Sequence, residues 1–245
     1  MKAIVVIPAR YKSSRFPGKP LVKLLGKEMI LWVAELSAVA VGVENVYVAT
    51  DDVRIADVVL KAGFNVEMTS DACLTGTDRL AEVATKLKAD IYINVQGDEP
   101  LVNPDDIIKV VELKKQHPDC VINAYTTLEA DENPENVNIP KVIVTEGQRL
   151  VYMSRASIPG CKDKKNQPEN YYKQVCIYAF NNEELEEYAK FGRKSVLEQS
   201  EDIEIIRFFE WDKVIRMVET QASSFAVDVP DDVAIVEAAL RERRV

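Results

Sequence analysis

The chain has 245 residues and a globular composition, 47% hydrophobic and 29% charged, enough for one large α/β domain or two small ones. Its formal net charge of −9 argues against a nucleic-acid backbone as partner, yet a local cluster of Lys and Arg can still hold a small anion. No apolar run reaches the roughly 20 residues that a helical membrane span needs, which argues against a membrane partner.

Met1 to Pro8 is too short for a signal peptide and Arg10 and Lys12 follow at once. It reads instead as a buried strand, Ala3 to Ile7, of a cytoplasmic protein. A polar loop runs from Arg10 to Pro20. Met29 to Val41 is apolar at helical spacing, Asn45 to Thr50 is a second strand, and Asp51-Asp52 opens a helix to Ala62. Phe64 to Met68 is a strand, Thr77 to Lys88 a helix, Ile91 to Val95 a strand. Pro104 to Gln116 is a helix whose first turn suits Pro104 and Asp105-Asp106, and Val121 to Thr127 is a strand. This alternation predicts an α/β fold, Rossmann-like, with a mostly parallel sheet flanked by helices. Further on, Lys141 to Val144 and Leu150 to Ser154 read as paired strands, and Lys162 to Glu169 as a mobile polar loop. Val175 to Phe180 reads as a strand, Ser200 to Glu210 as a helix, Val214 to Val218 as a strand, and Asp231 to Arg243 as a closing amphipathic helix. With no repeat, low-complexity tract or linker, the reading is a single domain, 1–245, with a β-rich insertion at 137–180.

On such sheets ligands bind beyond the carboxyl ends of the strands, which directs attention to the loops after Ile7, Thr50 and Val95. The one histidine, His117, lies in a charged loop before a proline, which sets aside mechanisms built on a histidine base. Cys73, Cys120, Cys161 and Cys176 are widely spaced and read as reduced thiols rather than a zinc site or a disulfide framework. Chemistry is left to carboxylates, Lys, Arg and a metal. The first loop carries Arg10, Lys12, Arg15 and Lys19, with Ser13, Ser14 and Gly18 letting backbone amides approach an anion. It lacks the glycine spacing of a P-loop or a dinucleotide fingerprint, and reads as a triphosphate cradle or, more blandly, as a solvated basic loop. Asn94 to Pro100 runs a buried strand into Asp98, a natural Mg²⁺ ligand or a turn cap. Ser223 to Asp232 delivers Asp228 just before a helix, the best partner for Asp98, with Asp231 or Asp232 as the helix cap.

Ile7-Pro8-Ala9-Arg10-Tyr11-x-Ser13-Ser14-Arg15-x-Pro17-Gly18-Lys19-Pro20, Gly76-Thr77-Asp78-Arg79-Leu80-Ala81-Glu82 and Asn94-Val95-Gln96-Gly97-Asp98-Glu99-Pro100 carry a resemblance. Tyr152-x-Ser154-Arg155-Ala156-x-Ile158-Pro159 and Ala226-Val227-Asp228-x-Pro230 extend it. In order, and over nearly the whole chain, they resemble the 3-deoxy-manno-octulosonate (Kdo) cytidylyltransferases. The resemblance implies a fold of the nucleotide-diphospho-sugar transferase type and a homodimer joined through the β-rich insertion. It implies transfer of CMP from CTP to the anomeric hydroxyl of an acidic 3-deoxy-2-ulosonic sugar, with Mg²⁺ and release of pyrophosphate, for lipopolysaccharide or capsule. Arg10, Ser13, Arg15 and Lys19 would hold the phosphates. Main-chain groups at Ala9 and the Thr75-Gly76 turn, with Arg79, would read the pyrimidine. Asp98 and Asp228 would hold Mg²⁺ and, with Lys19, form the catalytic set. Arg155 would pair with the sugar carboxylate, while Gln96, Tyr178 and Glu201 would contact its hydroxyls.

Gln174 stands where that family typically has a histidine. Glutamine donates and accepts but never becomes cationic, so it can still bind a sugar hydroxyl. Gln199-Ser200-Glu201-Asp202 is also more acidic than the family pattern. Both departures lie in the sugar half, so the alternative substrate is a related acid: 8-amino-Kdo, ketodeoxynonulosonate or a sialic acid. A GT-A type glycosyltransferase would want an Asp-x-Asp motif, which Gly97-Asp98-Glu99 does not supply. A catalytically dead binding module has no physical reason to keep paired carboxylates beside a cationic loop.

Overall fold

The computed structural model describes residues 1–12, 16–130, 132–221 and 226–243. The chain begins with β1 (Ala3–Ala9), a 3-10 turn at Lys19–Leu21, and the short hairpin of β2 (Lys23–Leu24) and β3 (Lys27–Glu28). Then come α1 (Met29–Val41), β4 (Val46–Thr50), α2 (Val53–Lys61), β5 (Asn65–Met68), α3 (Gly76–Lys86), β6 (Ile91–Val95), α4 (Pro104–Gln116) and β7 (Val121–Thr127). The second half holds β8 (Lys141–Val144), β9 (Leu150–Ser154), β10 (Tyr172–Phe180), α5 (Asn182–Phe191) and α6 (Val196–Glu201). A 3-10 helix at Glu204–Trp211, β11 (Ile215–Glu219) and α7 (Asp232–Arg243) close it. The helices start where side chains can satisfy orphan backbone amides. Asp52, Thr75, Asn103, Asn181 and Ser195 each accept from a backbone N–H of the first turn.

The main sheet runs β11-β7-β10-β6-β1-β4-β5, with the β8–β9 hairpin attached through β8 to β10. Along that path the pairs are parallel except those of β10, which is antiparallel to both β6 and β7; the attached β8–β9 hairpin is antiparallel too. The expected mixed α/β fold with a mostly parallel sheet is what forms. Strand alternation explains the two layers: Val5 and Ile7 of β1 face the core under α1, α2 and α4, while Ile4 and Val6 face the core under α3, α5 and the 3-10 helix. A third cluster, including Leu24, Met29, Trp32, Leu101, Val227 and Leu240, seats α7 against the start of α1. Among the described residues no helix is long and apolar enough to cross a membrane.

Several elements differ from the pattern read in the sequence, the unread β2–β3 hairpin among them. The helix expected over Ser200 to Glu210 is broken: α6 ends at Asp202, whose φ of 50° lies in the left-handed region, and a 3-10 helix follows. Helix α5 was not predicted, although Asn181 and Glu184 form a complete capping box at its start. The polar stretch expected as a mobile loop carries a 3-10 turn at Lys164–Asn166.

Candidate active site

Because β1, β4, β5 and β6 run parallel, their carboxyl ends and following loops open on one edge of the sheet. A cleft lies there. Its first part, of about 350 Å³, is lined by Ala9 at the end of β1, by Arg10, Lys12 and Lys19 after it, by Gly76 and Arg79 of α3, and by Gln96, Gly97 and Asp98 after β6. Backbones meet closely here. A Cβ on Gly97 would stand 3.0 Å from Pro8 O, and one on Gly76 would stand 3.2 Å from Pro8 Cγ. Thr75 caps α3 by accepting from Asp78 N–H and Thr77 N–H goes to Glu204 Oε2, while Gly76 at the start of the helix lines this space. Arg10 is exposed and donates to Leu74 O at 3.3 Å, which ties the first loop to the Thr75-Gly76 turn. Arg79 is 1% exposed, donates to Thr69 Oγ1 and lies 3.4 Å from Asp51 Oδ1.

The second part, of about 510 Å³, shares Arg10, Gly76, Gln96 and Asp98 with the first and adds Asp228, Arg155, Gln174, Cys176 and Tyr178. Asp98 and Asp228, far apart in sequence, converge on one ammonium: Lys19 Nζ is 2.5 Å from Asp98 Oδ2 and 3.4 Å from Asp228 Oδ1. Val227 N–H donates to Asp98 O and Asp228 N–H to Asp232 Oδ2, which fixes the backbone on both sides of Asp228. Arg155 is held by three carbonyls, Glu201 O, Val137 O and Asp202 O, which leaves two of its five N–H groups to a ligand. Gln96 Nε2 donates to Glu204 Oε1 at 3.2 Å, and Gln174 Nε2 to the Tyr178 hydroxyl at 3.2 Å. Burial pushes the Tyr178 phenol well above its ordinary value, helped by Cys176 and Glu204, so it stays a neutral hydroxyl.

The structure therefore gathers Ala9, Arg10, Lys19, Thr75, Gly76, Arg79, Gln96, Asp98, Arg155, Gln174, Tyr178 and Asp228 around one cleft. Ser13 and Arg15 lie outside the described residues. Glu201 is not brought to the cleft. Its carboxylate takes Ser154 Oγ, Tyr152 Oη and Arg155 N–H, so it holds β9 and Arg155 from behind.

The profile of the family described as cytidylyltransferase matches residues 4–215. The chain belongs to the cytidylyltransferase family. It is 40% identical to the 3-deoxy-manno-octulosonate cytidylyltransferase of Escherichia coli, over 94% of this chain and 92% of that one. To the 8-amino-3,8-dideoxy-manno-octulosonate cytidylyltransferase of Shewanella piezotolerans it is 38% identical, over 98% and 99%. The solved structure of CMP:2-keto-3-deoxy-manno-octonic acid synthetase complexed with CTP matches it with a TM-score of 0.92 at 38% identity, covering 99% of this chain and 100% of that one.

In this cytidylyltransferase several cleft residues escaped the reading of the sequence. Glu204 lines the second part and accepts from both Gln96 and Thr77 N–H. Glu198, also on the cleft, anchors the buried Arg207 at 2.6 and 2.7 Å. The spacing alone did not mark them: Glu201 lies midway between the two in sequence and faces Ser154 and Tyr152 instead of the cleft. Among the described residues no group of three or more His, Cys, Asp or Glu forms a metal cage. Asp98 and Asp228, two carboxylates already gathered on one cation beside a cationic loop, are nevertheless the donor set that Mg²⁺ takes together with phosphate oxygens and water.

Proposed function

We propose that this chain transfers CMP from CTP to the anomeric hydroxyl of 3-deoxy-manno-octulosonate, the acid in the names of its relatives, and releases pyrophosphate. One observation carries the reading: a cationic part and an arginine-bearing polar part of a single cleft meet at Asp98. Arg10 and Lys19, with Ser13 and Arg15 of the same loop, would hold the triphosphate. Ala9, the Thr75-Gly76 turn and Arg79 would read the pyrimidine, the turn being held against β1 by the close approach at Gly76. Arg155, already oriented by three carbonyls, would pair with the sugar carboxylate. Gln96, Gln174 and Tyr178 would hold its hydroxyls, and orienting the anomeric oxygen in line with the α-phosphorus supplies much of the rate. Lys19 would offset charge on the departing pyrophosphate. Asp98 and Asp228 would hold Mg²⁺, which when bound stabilises negative charge on the phosphoryl oxygens.

A second reading, CMP transfer to the 8-amino acid, is favoured by the acidic lining of the sugar part, where Glu99, Glu132, Asp202 and Glu204 all reach the cleft. The chain also reads as one domain whose segment 137–180 joins two copies, supported by the exposure of Val137 (60%) and Val151 (48%), with the reaction in the cytoplasm. Sedimentation of the chain and of Val151→Lys checks this: a monomeric parent sinks it. The main test is pyrophosphate release from CTP and Mg²⁺ with Kdo, 8-amino-Kdo, ketodeoxynonulosonate and N-acetylneuraminate. Turnover with Kdo is expected. Turnover with only another of these acids moves the reading to that acid, and none with any of them sinks it.

A further inference from the structure

β10, which carries Gln174, Cys176 and Tyr178, is irregular where the cleft needs it. Val175 faces Ala124 of β7, but Tyr178 faces the very next β7 residue, Asn123, so Cys176 and Ile177 are extra residues on β10. Such a bulge re-aims side chains and takes carbonyls out of the ladder. Both carbonyls that flank Cys176 are recovered by one side-chain nitrogen. Asn123 Nδ2 donates to Val175 O at 2.8 Å and to Ile177 O at 3.1 Å. Asn123 is fully buried in β7.

These two bonds determine the orientation of everything above them. Carbonyl oxygens only accept, so the Asn123 atom that faces them is its NH₂, and Oδ1 is turned away. Oδ1 lies 3.2 Å from the Gln174 amide, and an oxygen in that place admits only the Gln174 NH₂. The other proton of that NH₂ goes to the Tyr178 hydroxyl. With both protons engaged, Gln174 offers a ligand its carbonyl, and Tyr178, having accepted, keeps its own hydrogen, for which the Cys176 sulfur is the acceptor within the protein until a better ligand oxygen replaces it.

We infer that Asn123 is a positioning residue for the sugar acid: it ties the β10 bulge and sets Gln174 as a fixed acceptor beside the Tyr178 donor. The site then selects an acid whose group at that point has a proton to give, a hydroxyl or an ammonium. The sugar as ligand rests on the proposed function; the tie itself does not.

A double-mutant cycle on Asn123→Ala and Gln174→Ala tests this, reading the KM of the sugar acid and of CTP. Asn123→Ala is expected to raise the sugar KM about tenfold and to leave the CTP KM within about twofold. The Gln174→Ala penalty, about tenfold in the parent, should shrink below about threefold when Asn123 is already alanine. Penalties that multiply, or a CTP KM that rises in step, overturn the inference. Gln174→Glu needs no change in the core. At neutral pH it keeps an acceptor toward the ligand and loses the donor toward Asn123 Oδ1, so the sugar KM should rise by about tenfold as well, and an unchanged KM is the opposing result. Amide hydrogen exchange needs no substrate: Asn123→Ala should speed it across 173–179 and leave β1 and β4 as they were. Unchanged exchange overturns the tie; a parent that turns over no sugar acid sinks the proposed function instead.

Discussion

The two parts of the cleft are built by different means. The part proposed for the nucleotide is made by backbone: the ends of β1 and β6 and the capped start of α3 crowd together, with Gly76 and Gly97 admitting contacts that a Cβ would block. The part proposed for the sugar is made by side chains on β10, after β9 and on α6, several of them held from behind by residues that do not line the cleft. Asn123 sets Gln174, Glu201 sets Arg155, and the buried Arg207 grips Glu198. A backbone-built site changes only when the local fold changes. A side-chain-built site can be retuned by single substitutions in its support, which is where a change of sugar would be written.

The meeting point of the two parts should be the most sensitive. Asp98→Ala is expected to lower kcat by about a thousandfold, ~4 kcal/mol of transition-state stabilisation. The unfolding midpoint should hardly move, since Asp98 is partly exposed and pairs across the cleft with Lys19. A variant that keeps a tenth of parental turnover would break the claim that both substrates meet there. Next in size is Arg207→Met, which tests whether the halves are separable at all. Arg207 is fully buried, bonds Glu198 and Asp78, and lies 3.8 Å over the Tyr188 ring. Removing it strands two carboxylates, at a cost of about 3 kcal/mol, or roughly 6–12 °C in Tm for a chain of this size. Asp78 bonds the Thr75 cap and Glu198 lines the sugar part, so both KM values should rise together. Calorimetry and kinetics on one preparation check it, and a rise in only one KM would show that Arg207 serves a single half. Smaller again is Gly97→Ala. Its Cβ would press on Pro8 O and on Ile30 Cδ1, 3.0 and 3.2 Å away. An overpacking cost of about 1–2 kcal/mol should appear as roughly tenfold in the CTP KM with the sugar KM unmoved.

The same contrast explains what could be read beforehand. Gln96, Gly97 and Asp98 follow a buried strand in sequence, and Arg10 and Lys19 follow another, so contiguous motifs carried the nucleotide part. Asp228 was found because an apolar stretch again led into an acid, and the structure brings it to Lys19. Glu201 was placed at the sugar by the family resemblance alone; α6 ends at the left-handed Asp202, and it is Glu204 of the following 3-10 helix that lines the cleft. Asn123 has no local signature. It sits in a strand of buried residues, and its role exists only once β10 folds back beside β7 with two residues to spare.

Glu204 offers the smallest and most pointed test, because it touches both halves. It accepts Thr77 N–H from α3 and Gln96 Nε2 from the loop after β6 while lining the sugar part. Burial pushes its carboxyl above the ordinary 4.5, and the Thr77 and Thr75 donors only partly pull it back. As pH rises past that ordinary value, the unfolded chain gives up a proton that folded Glu204 still holds. Its contribution therefore lowers stability as pH climbs toward the raised value, and is flat above it. Glu204→Gln cannot titrate, so its advantage over the parent in urea unfolding should be larger at pH 7 than near pH 4. An advantage that shrinks as pH rises would show a carboxylate stabilised by its donors rather than penalised by burial. Glutamine still accepts Thr77 N–H but turns an NH₂ toward Gln96, which must rotate to accept it. A sugar KM that moves in this variant while the CTP KM does not would place Gln96 in the sugar half, although the strand that delivers it builds the nucleotide half.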